Sequence, residues 1–269
     1  MLNKFLEKNP DSATFLGLHE PYDYLLPNGS SELLVENLRL LENWVKKLKE
    51  TIKYENLSYD HKIDLEVIEK TYQRWKFNFY EVKMHELDPD AFEGFGGLIF
   101  IMFTRNYAPL EKRTDAIAAR IEKVPKFLEE FRSRFTKAKP VKLWTEVALE
   151  KIQNMSGLFQ FVLYATKGKV SEKVYEKLRK AIESLQPVLK THTEWLRDLL
   201  PKSKEDHALG REKFEKLLQL RELGMNSEEI YQLGLKYLDE LKTEREQLAH
   251  RIAPGKSGRS TQHYREQVT

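Results

Sequence analysis

Apolar positions recur at intervals of three and four along most of this chain, which predicts amphipathic α-helices. Leu33, Leu34, Leu38, Leu41, Trp44, Val45 and Leu48 share one face of a helix that opens at Ser30 or Ser31. Ile63, Val67, Ile68, Tyr72, Trp75 and Phe79 form the stripe of a second helix, with Ser58 at its N-cap. A short polar turn near Tyr54 to Leu57 joins the two, so they are expected to pack as an antiparallel helical hairpin. Tyr72, Trp75 and Phe79 are expected in the core, despite basic residues interleaved among them.

Gly94-Phe95-Gly96-Gly97 interrupts the rhythm before the apolar run Leu98 to Phe103, a buried helix rather than a strand because the chain supplies no partner strand. Pro109 suits the first position of the next helix. The pattern from Leu110 to Phe135 is expected to kink at Pro125 or split at Val124, since proline cannot donate to the helical ladder. Leu143 to Leu163 reads as helical. Ser171 caps a helix whose face carries Val174, Leu178, Ile182, Leu185, Leu189 and Leu196, with a kink expected at Pro187. Two helices follow, Ala208 to Leu223 and Ser227 to Arg251, separated by a Gly224 stop and by Asn226 and Glu229 at capping-box spacing. The fold class is therefore all-α: a multi-helix bundle of long antiparallel hairpins with proline kinks. Residues 1–254 are expected to form a single helical domain. Residues 255–269, rich in Gly, Ser, Thr and Gln, cannot bury a face and are expected to be a disordered tail.

Composition narrows the chemistry. The 269 residues carry 45 basic and 42 acidic side chains, a net charge of +3, which argues against a dedicated nucleic-acid binder. No cysteine is present, so disulfides, thiolate catalysis and cysteine-based metal sites are excluded. Abundant Lys and Glu without Cys resembles thermophile composition. The first residues lack an apolar h-region and no apolar run approaches the ~20 residues of a membrane span. A cytoplasmic protein without a membrane partner is expected.

Catalytic patterns are missing. A zinc peptidase helix needs two histidines one turn apart with a glutamate to activate water. None of the seven histidines, at positions 19, 61, 85, 192, 207, 250 and 263, has another four residues away. The Gly94 to Gly97 stretch lacks the Lys and hydroxyl of a phosphate loop. The one polar cluster worth following is His19, Glu20 and Asp23, weak candidates for a polar loop site; no catalytic, cofactor-binding or metal-ligating residue is assigned. Thr14, His19 and Asp23 are expected to satisfy backbone groups in a loop, as short polar side chains commonly do.

Three segments carry a family resemblance. They are Pro10-Asp11-Ser12-Ala13-Thr14-Phe15-Leu16-Gly17-Leu18-His19; then Arg113, Ala116, Arg120, Val124, Pro125 and Leu128; then Leu209-Gly210-Arg211-Glu212-Lys213-Phe214 with Leu217, Leu218, Gly224 and Glu228-Glu229-Ile230. Together, over about residues 9–256, they resemble domain of unknown function 885, a helical family related to gluzincin-type zinc metallopeptidases. The resemblance implies that the zinc site of a full-length member belongs to a C-terminal half, and that this chain corresponds to the N-terminal half, with the family-like text expected to stop near Gly255 in a truncated or frameshifted end. On that basis the chain is expected to be the helical N-terminal portion of a metallopeptidase-like protein. It would have no cofactor of its own, with zinc and a peptide substrate only in a full-length relative. Its expected partners are a C-terminal half or a second copy. The alternative is a stand-alone helical binding or scaffold protein.

Overall fold

The computed structural model describes residues 2–252; the tail expected at 255–269 lies outside them. Among the described residues the chain is all-α. In order the helices are α1 (Leu2–Lys8), α2 (Pro10–Phe15), α3 (Ser31–Thr51), α4 (Tyr59–Phe77), α5 (Met84–Leu87), α6 (Phe95–Thr104), α7 (Leu110–Ile121), α8 (Val124–Arg132), α9 (Lys142–Thr166), α10 (Glu172–Leu199), α11 (Arg211–Arg221) and α12 (Ser227–Ile252). Sequence analysis reads 1–254 as one domain; by its internal packing the chain divides after Ala208 into two compact units.

The core of the first unit lies where α10 packs along α7 and α9, with α6 laid against both α7 and α9. Leu98, Ile99 and Met102 of α6 are fully buried there, which makes the apolar run a helix as expected. Ile117 and Ile121 from α7, Phe159 from α9, and Leu178, Ile182 and Leu185 from α10 meet in the same cluster. Each such side chain contributes on the order of 1.5–3 kcal/mol by leaving water. The buried face of α10 is the one its periodicity predicts, and Ser171 caps it by accepting from the Val174 N–H at 3.4 Å.

The two prolines act differently. Pro125 splits the predicted long helix: α7 ends at Ile121, α8 begins at Val124, and the ring sits in the first turn of α8 where no N–H is required. Pro187 lies inside α10, which continues unbroken around it. Its missing N–H leaves the Glu183 carbonyl without its helical donor. Pro109 is the N-cap of α7, one residue before the position expected for it.

The α3/α4 hairpin buries Leu38, Val45 and Tyr72, with Leu41, Ile68 and Phe79 packed beside them. Tyr72 donates to Glu42 Oε1 at 2.7 Å across the pair. Part of the predicted α4 stripe is not core: Ile63, Val67 and Trp75 are 43%, 56% and 40% exposed. Only the sector of α4 that faces α3 is covered, and Leu65 and Phe77 occupy buried places that the spacing did not assign.

In the second unit α11 packs on α12. The predicted capping box forms reciprocally. Asn226 N–H donates to Glu229 Oε2 at 2.8 Å, and Glu229 N–H donates to Asn226 Oδ1 at 3.0 Å. The left-handed residue that ends α11 is Glu222, at φ 52°, two residues before Gly224.

The core also holds a histidine. His192 on α10 is 1% exposed, its ring stacked on Trp195 with centroids 4.9 Å apart, and neither ring nitrogen has a hydrogen-bond partner. Burial, with Arg132 adding a little, pushes its pKa from an ordinary 6.5 down to about 3. A base depressed on folding contributes stability that is complete above 6.5 and is lost as pH falls toward 3. Replacing His192 by Leu is therefore expected to flatten the acid dependence of urea unfolding, by up to about 1.4 kcal/mol per pH unit in that window. An unchanged pH profile would contradict this.

Candidate functional site

The strongest polar constellation gathers around Asp23, in a 3-10 turn at Tyr22–Tyr24. The carboxylate is 3% exposed and satisfied from three sides. Thr14, at the end of α2, donates to Oδ1 at 2.6 Å. Tyr107, in the loop between α6 and α7, donates to Oδ2 at 2.5 Å. His19 Nδ1 lies 3.1 Å from Oδ2, and its ring stacks flat on Tyr107 with centroids 3.4 Å apart.

Beneath this lies Arg120 of α7, with 0% exposure. Its Nη2 donates to Thr14 Oγ1 at 2.6 Å, to the Tyr22 carbonyl at 2.9 Å and to the Pro10 carbonyl at 3.3 Å. Thr14 thus links the buried cation to the buried carboxylate. Burial pushes the Arg120 guanidinium down to about 10, opposed by the charge of Asp23. Burial first, and then the hydrogen bond to Asp23, push the Tyr107 hydroxyl up. Arg113 secures the loop that carries Tyr107. Its Nε donates to the Ala108 carbonyl at 2.8 Å and its Nη1 to the Met102 and Phe103 carbonyls at the end of α6.

Of the three residues that sequence analysis groups here, the structure brings His19 and Asp23 together and leaves Glu20 outside. Glu20 is exposed and pairs with Lys112 at 2.6 Å on the surface. Arg120 and Tyr107 complete the constellation although nothing placed them in it beforehand. Arg120 stood only among the spaced residues of the family resemblance, and Tyr107 carried no local signal. In the tautomer that carries hydrogen on Nδ1, His19 donates to Asp23 Oδ2 and its Nε2 is left as an acceptor. Arg120 Nε is buried without a hydrogen-bond partner, and the bonds that its Nη2 makes tie residues 10–24 to α7. Among the described residues no three His, Asp or Glu side chains converge as metal ligands.

Over residues 10–268 the chain matches the family described as "Bacterial protein of unknown function (DUF885)". It belongs to that family. The match runs beyond Gly255, where sequence analysis expected the family-like text to stop. Among solved structures the chain is similar to "a putative lipoprotein of unknown function" from Shewanella oneidensis, with a TM-score of 0.74 at 20% identity. The similarity covers 96% of this chain and 47% of that one, so this chain spans about half its length. At that identity the likeness is one of fold. No curated protein matches this chain.

The comparison corrects the expectation of a cytoplasmic protein. The same fold occurs in a protein described as "a putative lipoprotein", so an all-α fold is no mark of the cytoplasm. Among the described residues no helix is long and apolar enough to cross a membrane.

Tyr107→Phe is expected to cost about 2 kcal/mol at neutral pH, the worth of one hydrogen bond to a buried carboxylate. The Tyr107 hydroxyl has its pKa raised on folding, so its contribution is complete below 10 and is lost as pH rises above that. The gap between parent and variant in urea unfolding should therefore narrow from pH 8 to pH 11. A gap that stays constant would contradict the assignment.

Proposed function

We propose that this chain is the helical N-terminal portion of a metallopeptidase-like hydrolase, and that it walls one side of a substrate cleft without supplying metal ligands. The observation that carries this reading is the alignment of nearly the whole chain with just under half of a longer helical protein of the same fold. The resemblance carried by Thr14 and Arg120 supports it, because these residues from two separate family-like segments meet in one buried network.

A second feature agrees. No residue of α12 is buried, and Tyr237, Leu238, Leu241, Leu248 and Ile252 fall on one side of it, each at least 42% exposed. An apolar stripe of that kind marks an interaction surface. It also favours the alternative, a helical binding or scaffold protein that works by itself, so the two readings need separate measurements.

Elemental analysis of the purified chain is expected to find no stoichiometric zinc, and a peptide library should remain uncleaved. One equivalent of tightly held zinc together with hydrolysis would overturn the proposal. In the same preparation, binding of a hydrophobic dye or concentration-dependent self-association is expected from the α12 stripe. A monodisperse monomer that binds no dye would remove the case for an uncovered interface.

A further inference from the structure

A cavity of about 370 Å³ opens elsewhere in the first unit, with Phe79, Tyr80, Lys83, His85, Ser133 and Arg134 in its wall. Its size lies within the range of small-molecule sites. Most of these side chains come from one irregular stretch. Residues Asn78–Val82 form a π-helical turn, and Lys83 follows in the left-handed region at φ 59°. π-helical turns are rare, and a left-handed Lys costs backbone energy that a glycine would not; both features concentrate at functional sites. Here they swing the aromatic rings, the lysine and His85 around one space.

Arg134 forms the opposite wall. Its guanidinium lies 4.7 Å from the centre of the Phe131 ring, and Nη2 reaches the Ser30 carbonyl only at 3.5 Å. Its Nε is buried and has no hydrogen-bond partner. A buried donor without an acceptor is costly, so the geometry is that of a fork still open to one. The neighbouring carboxylates do not close it. Glu32 accepts from the Ser30 hydroxyl and from its own backbone N–H, which holds its pKa low and turns it to the first turn of α3. Glu86 stands 3.8 Å from Lys83 and 3.7 Å from His85. His85 stacks flat on Phe79 with centroids 4.3 Å apart, and burial favours its neutral form.

We propose that this cavity binds a small carboxylate carried on a flat apolar body. The carboxylate takes the open fork of Arg134, with Lys83 as the second cation, and the body lies along Phe79 and Tyr80. A planar guanidinium matches a carboxylate in shape. Glu32 and Glu86 also line the cavity and oppose a dianion such as phosphate more than a single carboxylate. The site is independent of the metallopeptidase reading.

The test titrates 3-phenylpropionate into the full chain at pH 7.5 by calorimetry, with inorganic phosphate and phenethylamine in parallel. Saturable binding with Kd below ~5 mM is expected for the carboxylate alone. Arg134→Gln should raise Kd at least tenfold, about the worth of one charged hydrogen bond. Because Arg134 also supports the Ser30 carbonyl, Lys83→Gly and Tyr80→Ala serve as further arms. Lys83→Gly should weaken binding severalfold while melting no lower than the parent, since glycine accepts the left-handed backbone. Tyr80→Ala, which removes a ring that is 55% exposed, should weaken it similarly. No saturation, equal binding of phosphate or of the amine, or folded variants that bind like the parent would each overturn the proposal.

Discussion

A single buried guanidinium decides how the beginning of this chain is arranged. Arg120 stands on α7 with no exposed surface, in surroundings where an unpaired charge would cost several kcal/mol. Its cost is offset only if the segment around Pro10, Thr14 and Tyr22 presents two carbonyls and a hydroxyl to it. That segment consists of one short helix and a turn, and its apolar side chains Phe15, Leu16 and Leu18 stay exposed. The charge therefore acts as a template: any conformation of residues 10–24 that misplaces one acceptor leaves part of a buried cation unpaired. Asp23 completes the arrangement from the other side of Thr14 and draws in Tyr107 and His19.

The long helices set the frame in which this is possible. α7 is held by α10, and α10 by α9, through ordinary apolar burial. Because α7 is fixed that firmly, Arg120 at its C-terminal end is a fixed point, and so is the α6 end that Arg113 clamps. The same frame explains why polar groups recur at its edges. His192 is tolerated because the stacked Trp195 and the nearby Phe92 surround it with ring surface. The π-helical turn after α4 and Arg134 beyond α8 leave a cavity with an open donor. Arg120 and Arg134 each keep a buried Nε without a hydrogen-bond partner, and Arg134 in addition lines a cavity.

Much of the helical layout was legible from periodicity and caps. Ser58, Ser171 and the Asn226/Glu229 pair act where the spacing placed them, because local hydrogen bonds need only neighbours. The split at Pro125 is likewise a local matter. What could not be read depends on contacts between distant segments. Ile63, Val67 and Trp75 keep the spacing of a core stripe, yet whether a stripe is covered depends on what packs against it, and α3 covers a different sector of α4. Arg120 and Tyr107 stand 97 and 84 positions from Asp23 in sequence, and nothing within either helix or loop announces that they will meet it. The π-helical turn at Asn78–Val82 gave no sign in a pattern that runs smoothly from α4 into Phe79. His19 and Asp23 were visible as a pair because four residues of spacing keeps them close in almost any turn.

The central claim is that the buried network around Arg120, rather than apolar burial, holds residues 10–24 in place. Native-state amide hydrogen exchange on a Thr14→Val variant tests this most directly, because that change removes the hydroxyl between Arg120 and Asp23 while keeping nearly the same volume. Selective loss of protection across residues 10–24, with α9 and α10 as protected as in the parent, is the result this account predicts. Unchanged protection in that segment, or an equal loss throughout the helices, would contradict it.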